Sequence, residues 1–309
     1  MRNMIASSTT VALGAGREPW PRLGLGTWRL GESAGTAKRE GTLIRHALDI
    51  GYRLFDTAEM YGEGGAESVL GQALGQALRG RSLRREELFV VSKAYPHHGD
   101  AAGLRRACDA SRKRLQLETI DLYLLHWRGG IPLTDTVRGL EQLQQRGWIR
   151  HWGVSNFDVA DLDELRAVPG GSACVANQVY YSLSERGVEF ELLPLMRHWG
   201  RPGGASMAKF RRYPCAPMAL MAYCPIDGGR IARHARLSKL AASLSLSAVQ
   251  LALAWLLSQR GVLAIPKAGS EAHLAENWRS RDVVLSGDVL PALDAMFPKP
   301  VRKQALAIR

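Results

Sequence analysis

Short apolar runs recur along the chain at 23–27, 54–56, 88–93, 120–126, 149–155, 175–179, 218–223 and 262–265. Runs such as ELFVVSK and IDLYLLHW lack polar alternation, which suits strands buried on both faces of a parallel sheet. Amphipathic segments with helix punctuation lie between them. The segment 37–50 follows Thr36 as a candidate cap and closes at Gly51, and 134–146 ends at Gly147. Asp158, with Asp161 three residues on, opens 159–167, and a further helix is expected over 188–198. Successive strand starts are mostly 26 to 34 residues apart, the length of a βα unit. Eight such units predict an α/β chain folded as a single (β/α)8 TIM barrel. A doubly wound sheet is disfavoured, because GLG at 24–26 continues as TWR and completes no G-x-G-x-x-G turn.

Length refines this picture. The chain has 309 residues, which at about 150 per domain suggests two domains, but α/β barrels of roughly 250 residues fold as one. The expectation is therefore one barrel domain over 1–309, with 1–22 as an N-terminal hairpin closing the barrel bottom and 298–309 as a short C-terminal tail. With so little chain after the last helix, no long segment is expected over the pocket. The Gly/Pro/Arg-rich stretch 200–217 has no apolar period and reads as an inserted helix-to-strand loop, away from the strand ends that carry active sites.

Hydrophobic residues make up 46% and charged residues 23%, which excludes disordered and collagen-like classes. Lys plus Arg is 41 and Asp plus Glu 29, so the formal charge is +12, carried by 33 Arg and only 8 Lys. The basic clusters, RGRSLRR, the 105–114 helix and KFRR, fall on separate helices and loops without interleaved aromatics. Solvated faces explain them better than a nucleic-acid partner. Four cysteines, Cys108, Cys174, Cys215 and Cys224, form no C-x-x-C pair, so a cytoplasmic protein without disulfides is expected. No run approaches 18 apolar residues, and the hydroxyls at 7–10 break the only leader-like stretch, so no membrane partner is expected.

Candidate chemistry collects where the strands end. Asp56 closes the second run with Tyr61 shortly after, Lys93 closes the third, and His126, followed by Trp127, closes the fourth. Ser155 and Asn156 end the fifth, Asn177 and Gln178 lie in the sixth, and Tyr223 ends the seventh. Each has a dull explanation alone: a turn cap, a surface ion pair, a satisfied core histidine. Buried charges at three successive strand ends need partners, however, so packing does not explain them together. A tyrosine hydroxyl, ordinarily titrating at about 10, is a poor acid near neutrality, and a lysine ammonium close by, held by Asp56, would lower that value. A neutral histidine can donate to a carbonyl oxygen. The set suits proton transfer at a carbonyl or alcohol oxygen and needs a hydride donor beside it. No metal site is expected; His97 and His98 are adjacent rather than spaced for one ion. For the donor's phosphates, PIDGGR (225–230) offers glycines for close backbone approach, and Lys267 ends the eighth strand with Glu276 and Asn277 on the helix beyond.

These segments resemble the aldo-keto reductase family, nearest to its small bacterial methylglyoxal and 2,5-diketogluconate reductase types. GYRLFDTAEMYGEGGAESVLG, WGVSNFD and IPKAGSEAHLAEN are similar to its three signature segments, in one order across nearly the whole chain. The resemblance implies reduction of a small-molecule carbonyl by NADP(H), NAD(H) being the lesser option, in a monomeric enzyme without metal. It implies Tyr61 as general acid, with hydride from nicotinamide C4, Lys93 paired with Asp56 lowering the Tyr61 pKa, and His126 orienting the carbonyl. Ser155, Asn156 and Gln178 would hold the carboxamide, Tyr223 would stack on the ring, and Thr27 and Asp56 would lie near its ribose. Cys224, Pro225 and Ile226 would lead into Asp227, Gly228 and Arg230 at the pyrophosphate. Lys267, Ala268, His273, Glu276 and Asn277 would meet the adenosine end, and Trp28, Tyr95 and Trp127 would wall the substrate pocket. Two departures stand out: Ala268 replaces the family's usual Ser, and His273 its usual Arg. A different class, a redox-sensing regulatory subunit of the same fold, would be marked by an added N-terminal segment, and only about 20 residues precede the first core strand.

Overall fold

The computed structural model describes residues 10–13, 18–199 and 217–309; the predicted loop 200–217 lies almost wholly outside them. Two strands, β1 (Thr10–Leu13) and β2 (Glu18–Pro21), pair antiparallel as the expected hairpin. Eight parallel strands follow in sequence order: β3 (Gly24–Gly26), β4 (Leu54–Asp56), β5 (Phe89–Ala94), β6 (Ile120–Leu125), β7 (Ile149–Ser155), β8 (Ala176–Tyr180), β9 (Ala219–Tyr223) and β10 (Val262–Ala264). The barrel closes where Leu23 pairs with Ala264 and the Gly26 amide donates to the Pro266 carbonyl at 3.1 Å. Glycine is required at that seam, since a Cβ on Gly26 would sit 2.8 Å from the Ile265 carbonyl oxygen.

Strand sequence explains the two cores. In β5 and β6 every residue is buried, so one set of side chains faces the helices while the alternate set fills the barrel. The interior set, including Leu54, Phe89, Val91, Leu122, Leu124 and Met221, packs around Trp20. The Trp20 and Phe89 ring centroids are 4.6 Å apart, so the hairpin stoppers the end where the strands begin. The opposite end, where Asp56, Ser155 and Tyr223 close their strands, is left for chemistry.

Helices differ from expectation at their starts. Helix α1 (Ala34–Ile50) begins three residues before the predicted 37, because the Ser33 hydroxyl, not Thr36, accepts from the Gly35 amide. Helices α2 (Gly65–Arg79) and α3 (Ala101–Leu115) complete the next two units, and α4 (Leu133–Gln145) stops one residue early. Helix α5 (Val159–Ala167) opens on the predicted Asp158–Asp161 capping box. The helix expected over 188–198 is a short turn, Gly187–Glu189, followed by α6 (Leu192–Arg197). Helices α7 (Ala235–Ser243) and α8 (Ala248–Ser258) lie between β9 and β10, and α9 (Glu271–Arg279) and α10 (Val289–Met296) follow β10. No single described helix is long and apolar enough to cross a membrane.

Candidate active site

Strand register brings Asp56 and Lys93 together. Both close adjacent strands pointing into the barrel mouth, and Lys93 Nζ donates to Asp56 Oδ1 and Oδ2, each at 2.9 Å. Nζ also donates to the Thr57 carbonyl at 2.8 Å and to Tyr61 Oη at 3.2 Å. Gln178 Nε2, across the barrel on β8, donates to Asp56 Oδ1 at 2.7 Å. Burial lifts the Asp56 carboxyl and depresses the Lys93 ammonium, and each opposes the other's shift. An acceptor receiving only donors beside a donor meeting only acceptors is the hydrogen-bond pattern of a carboxylate and an ammonium, so the pair is ionised.

Tyr61 arrives on a tight turn, Tyr61–Gly64, in which Gly62, Glu63 and Gly64 are all left-handed, with φ of 57°, 53° and 88°. The glycines of MYGEGG make that turn accessible. It is wedged against the β3–α1 loop: a Cβ on Gly65 would lie 2.1 Å from the Gly31 carbonyl oxygen. The expected lowering of the Tyr61 pKa by Lys93 is corrected here. Burial raises the phenol well above its ordinary range, with the Asp56 carboxylate adding to the rise. The Lys93 ammonium, already engaged by both Asp56 oxygens, still favours phenolate through its 3.2 Å contact, but burial outweighs it and Tyr61 holds its proton in the resting site.

His126 follows β6, its amide donating to the Ala94 carbonyl at 2.9 Å, and its ring stands edge-on to Tyr61 with centroids 5.8 Å apart. Burial, then the Lys93 charge, push His126 down to about 2, so its imidazole is neutral. Its Nδ1 is buried without a hydrogen-bond partner.

These groups open on a cavity of about 830 Å³. Its wall includes Asp56, Tyr61, His126, Ser155, Asn156, Gln178 and Tyr223; Cys224, Pro225, Ile226 and Gly228; Lys267, His273, Glu276 and Asn277; and Trp28 at the rim. Lys93 is buried behind Asp56 and Tyr61 and does not itself line the cavity. Thr27 and Ala268 are buried without lining the cavity. Asp227 and Arg230 turn to each other, with Nε to Oδ2 at 2.8 Å and Nη2 to Oδ1 at 2.6 Å, so the loop between them offers the cavity its glycines and not its charges. Tyr95 and Trp127 pack edge-to-face 5.9 Å apart outside this cavity, and Trp28 alone of the three expected wall aromatics faces it. The His97–His98 pair serves the Tyr95 turn: His98 Nδ1 is 2.9 Å from Glu59 Oε1, which also accepts from the Tyr95 amide.

Polar atoms along the wall are interlinked. Ser155 Oγ donates to the Gln178 carbonyl at 2.9 Å, Asn156 Nδ2 to the His126 carbonyl at 3.2 Å, and Tyr223 Oη to Asn156 Oδ1 at 3.0 Å. Sequence reasoning passed over several lining residues. Arg29 follows Trp28, and Leu246, Ser247 and Val249 lie around the start of α8. The short tail, to which no role at the pocket was assigned, brings Arg309 to its wall.

The aldo/keto reductase family profile matches residues 22–203 and 230–297. The chain is 40% identical over 291 residues to the methylglyoxal reductase YeaE of Escherichia coli, spanning 93% of this chain and 94% of that protein. Its fold matches an aldo/keto reductase of Klebsiella pneumoniae solved with NADP and acetate, with TM-score 0.87 and 40% identity over 98% of this chain and 100% of the other. A second Klebsiella pneumoniae structure, in complex with NADPH, matches with TM-score 0.86 at 40% identity, over 97% and 99% of the two chains. Barrel, strand-end residues and these likenesses together place the chain in the aldo/keto reductase family.

Proposed function

We propose that this chain reduces aldehydes and ketones to alcohols with NADPH, acting on small dicarbonyl aldehydes such as methylglyoxal. The observation that carries the reading is the buried Asp56–Lys93–Tyr61 chain ending at a cavity too large for a small carbonyl compound alone. The wall fits a dinucleotide: amide and hydroxyl groups of Ser155, Asn156 and Gln178 and the Tyr223 ring at one end, left-handed Gly228 and Gly229 midway, and Lys267 with Asn277 at the other. NADPH, when bound there, supplies the hydride. Tyr61 donates its proton to the carbonyl oxygen as charge builds on it, and Lys93 stabilises the phenolate left behind. Asp56 keeps Lys93 charged and in place, while neutral His126 offers an N–H to the same oxygen. Lys267, lining the cavity, favours NADPH over NADH, although Ala268 supplies no hydroxyl beside it.

In this reading the whole chain acts as one barrel domain, a cytoplasmic monomer, in keeping with free thiols at Cys108, Cys174 and Cys224. The test is NADPH oxidation with methylglyoxal, aromatic aldehydes, diketogluconate and aldoses. Turnover is expected with the dicarbonyl, and Tyr61→Phe should lower kcat by about 10²–10⁴ while leaving the NADPH Kd unchanged. A Phe variant with full turnover, or equal kcat/KM with NADH, would contradict these assignments.

A further inference from the structure

The 298–309 tail crosses the surface as a strap. Lys303 Nζ lies 3.6 Å from both Asp158 Oδ2 and Glu191 Oε2, and Leu306 packs on the core. At Arg309 the backbone amide donates to Tyr223 Oη at 3.3 Å. The guanidinium then reaches over the Asp227–Arg233 turn, with its carbon 5.8 Å from the Tyr180 ring centroid and Nη1 3.6 Å from Asp227 Oδ1. That last contact is an ion pair without a hydrogen bond. Asp227 is already committed, accepting two hydrogen bonds from Arg230 and another from the Tyr180 hydroxyl. Arg309 thus stands on the cavity wall beside Cys224, one-third exposed, sharing an acidic partner that Arg230 already satisfies.

What it faces is backbone. Gly228 and Gly229 have φ of 62° and 86° and both line the cavity; a Cβ on Gly229 would meet nothing within 4 Å, while one on Gly228 would lie 3.1 Å from Arg309 Nη1. An open left-handed glycine turn beside a guanidinium whose partners are the already satisfied Asp227 carboxylate, the Tyr180 ring and the Cys224 side chain is a receptor for a phosphate oxyanion, since Arg matches such oxygens with two parallel donors. A carboxylate on the carbonyl substrate is the less suitable occupant. The Arg309 guanidinium is placed on the glycine-turn side of the cavity, with Nη1 beside Gly228 and 3.6 Å from Asp227 Oδ1, rather than against Tyr61 or His126.

We propose that Arg309 binds the pyrophosphate of the dinucleotide, so that the tail straps the cofactor into the barrel mouth. This rests on the reading of the cavity as an NADPH site. The test is fluorescence titration of the full chain with NADPH and, separately, calorimetry with 2′-AMP, which carries the adenosine-end phosphate but no pyrophosphate. Arg309→Ala should raise the NADPH Kd about tenfold, flatten its salt dependence and leave 2′-AMP binding unchanged, and Arg309→Lys should recover part of the loss. Three results would overturn the role: an unchanged NADPH Kd in Arg309→Ala, an equal loss for 2′-AMP, or an effect confined to the KM of a carboxylate-bearing aldehyde. A wild-type chain that binds no NADPH would remove the underlying reading as well, whereas an Arg309→Ala result matching a wild type that does bind removes this role alone.

Discussion

Three protons on Lys93 meet acceptors from Asp56, Thr57 and Tyr61, and no water is needed to complete the set. Cation and acid are therefore held before any substrate arrives, which is what preorganised electrostatic stabilisation requires. His126 is held the opposite way, as a neutral ring in a site that rejects a proton. The unfolded chain titrates that histidine near its ordinary 6.5, while the folded chain resists protonation down to about 2. The folded value is depressed, so the full stabilisation is present above pH 6.5 and is lost as pH falls towards 2. The slope for one such group is about 1.4 kcal/mol per pH unit. His126→Gln, neutral at every pH, should flatten the stability–pH curve by about that slope between pH 6 and 4, measured by urea unfolding beside the wild type. Parallel curves would mean that His126 takes up its proton in the folded state. Residue types at the strand ends were readable because Asp, Lys and His there conflict with burial unless they pair. The raised Tyr61 phenol was not readable, since it depends on how completely one turn is enclosed.

The element that decides the geometry is the turn Tyr61–Gly64 and its packing against the β3–α1 loop. The Glu40 carboxylate accepts from the Gly31 amide at 2.8 Å, and the Gly31 carbonyl lies where a side chain on Gly65 would begin. Gly65 has an ordinary helical φ of −61°, so alanine there tests space and not backbone strain. Gly65→Ala should push the turn outward and lengthen the 3.2 Å contact between Tyr61 and Lys93. A misplacement of about 1 Å costs roughly 10²-fold in kcat. The NADPH Kd should change far less than kcat, because Ser155, Asn156, Gln178, Tyr223 and Lys267 line the cavity away from this turn, and stopped-flow single turnovers would separate the two. At this scale the strands were legible to within a residue, because continuous apolar runs bounded by turn residues have few alternative readings. Helix starts were less so: Ser33 and Thr36 are equally good caps in sequence, and only the path of the preceding loop selects Ser33. The strap of 298–309 was missed for a related reason. A run with one anchoring leucine and scattered cations carries no period, and its docking depends on acidic partners, Asp158 and Glu191, far away in sequence.

Across the whole molecule, the barrel divides its ends between stability and chemistry. Four arginines tie elements together: Arg85 and Arg150 meet buried Asp121, Arg114 meets buried Glu67, and buried Arg186 meets Glu189 and Asp294. At the end away from the cavity, Trp20 is 1% exposed and fills the space that eight strands leave open, packed against Phe89 and tilted over His151 with centroids 5.4 Å apart. Glu18 of the same hairpin meets His151 Nε2 at 2.9 Å, fastening the stopper to β7. Replacing Trp20 with Ala removes the largest side chain of the interior layer, and backbone closure at the Leu23–Ala264 seam keeps the barrel from collapsing onto the space. Such a truncation costs about 3–5 kcal/mol. Trp20→Ala should lower the urea midpoint accordingly, with an unchanged m-value. At a temperature where it is still folded, kcat and the NADPH Kd should be those of the wild type. Leu54, Val91 and Leu122 share the interior cluster with Trp20, but the parallel ladder that holds their backbone, and the backbone of Asp56 and Lys93, does not depend on the Trp20 side chain. A variant whose kcat falls in step with its stability would show that the two ends are mechanically coupled through that cluster.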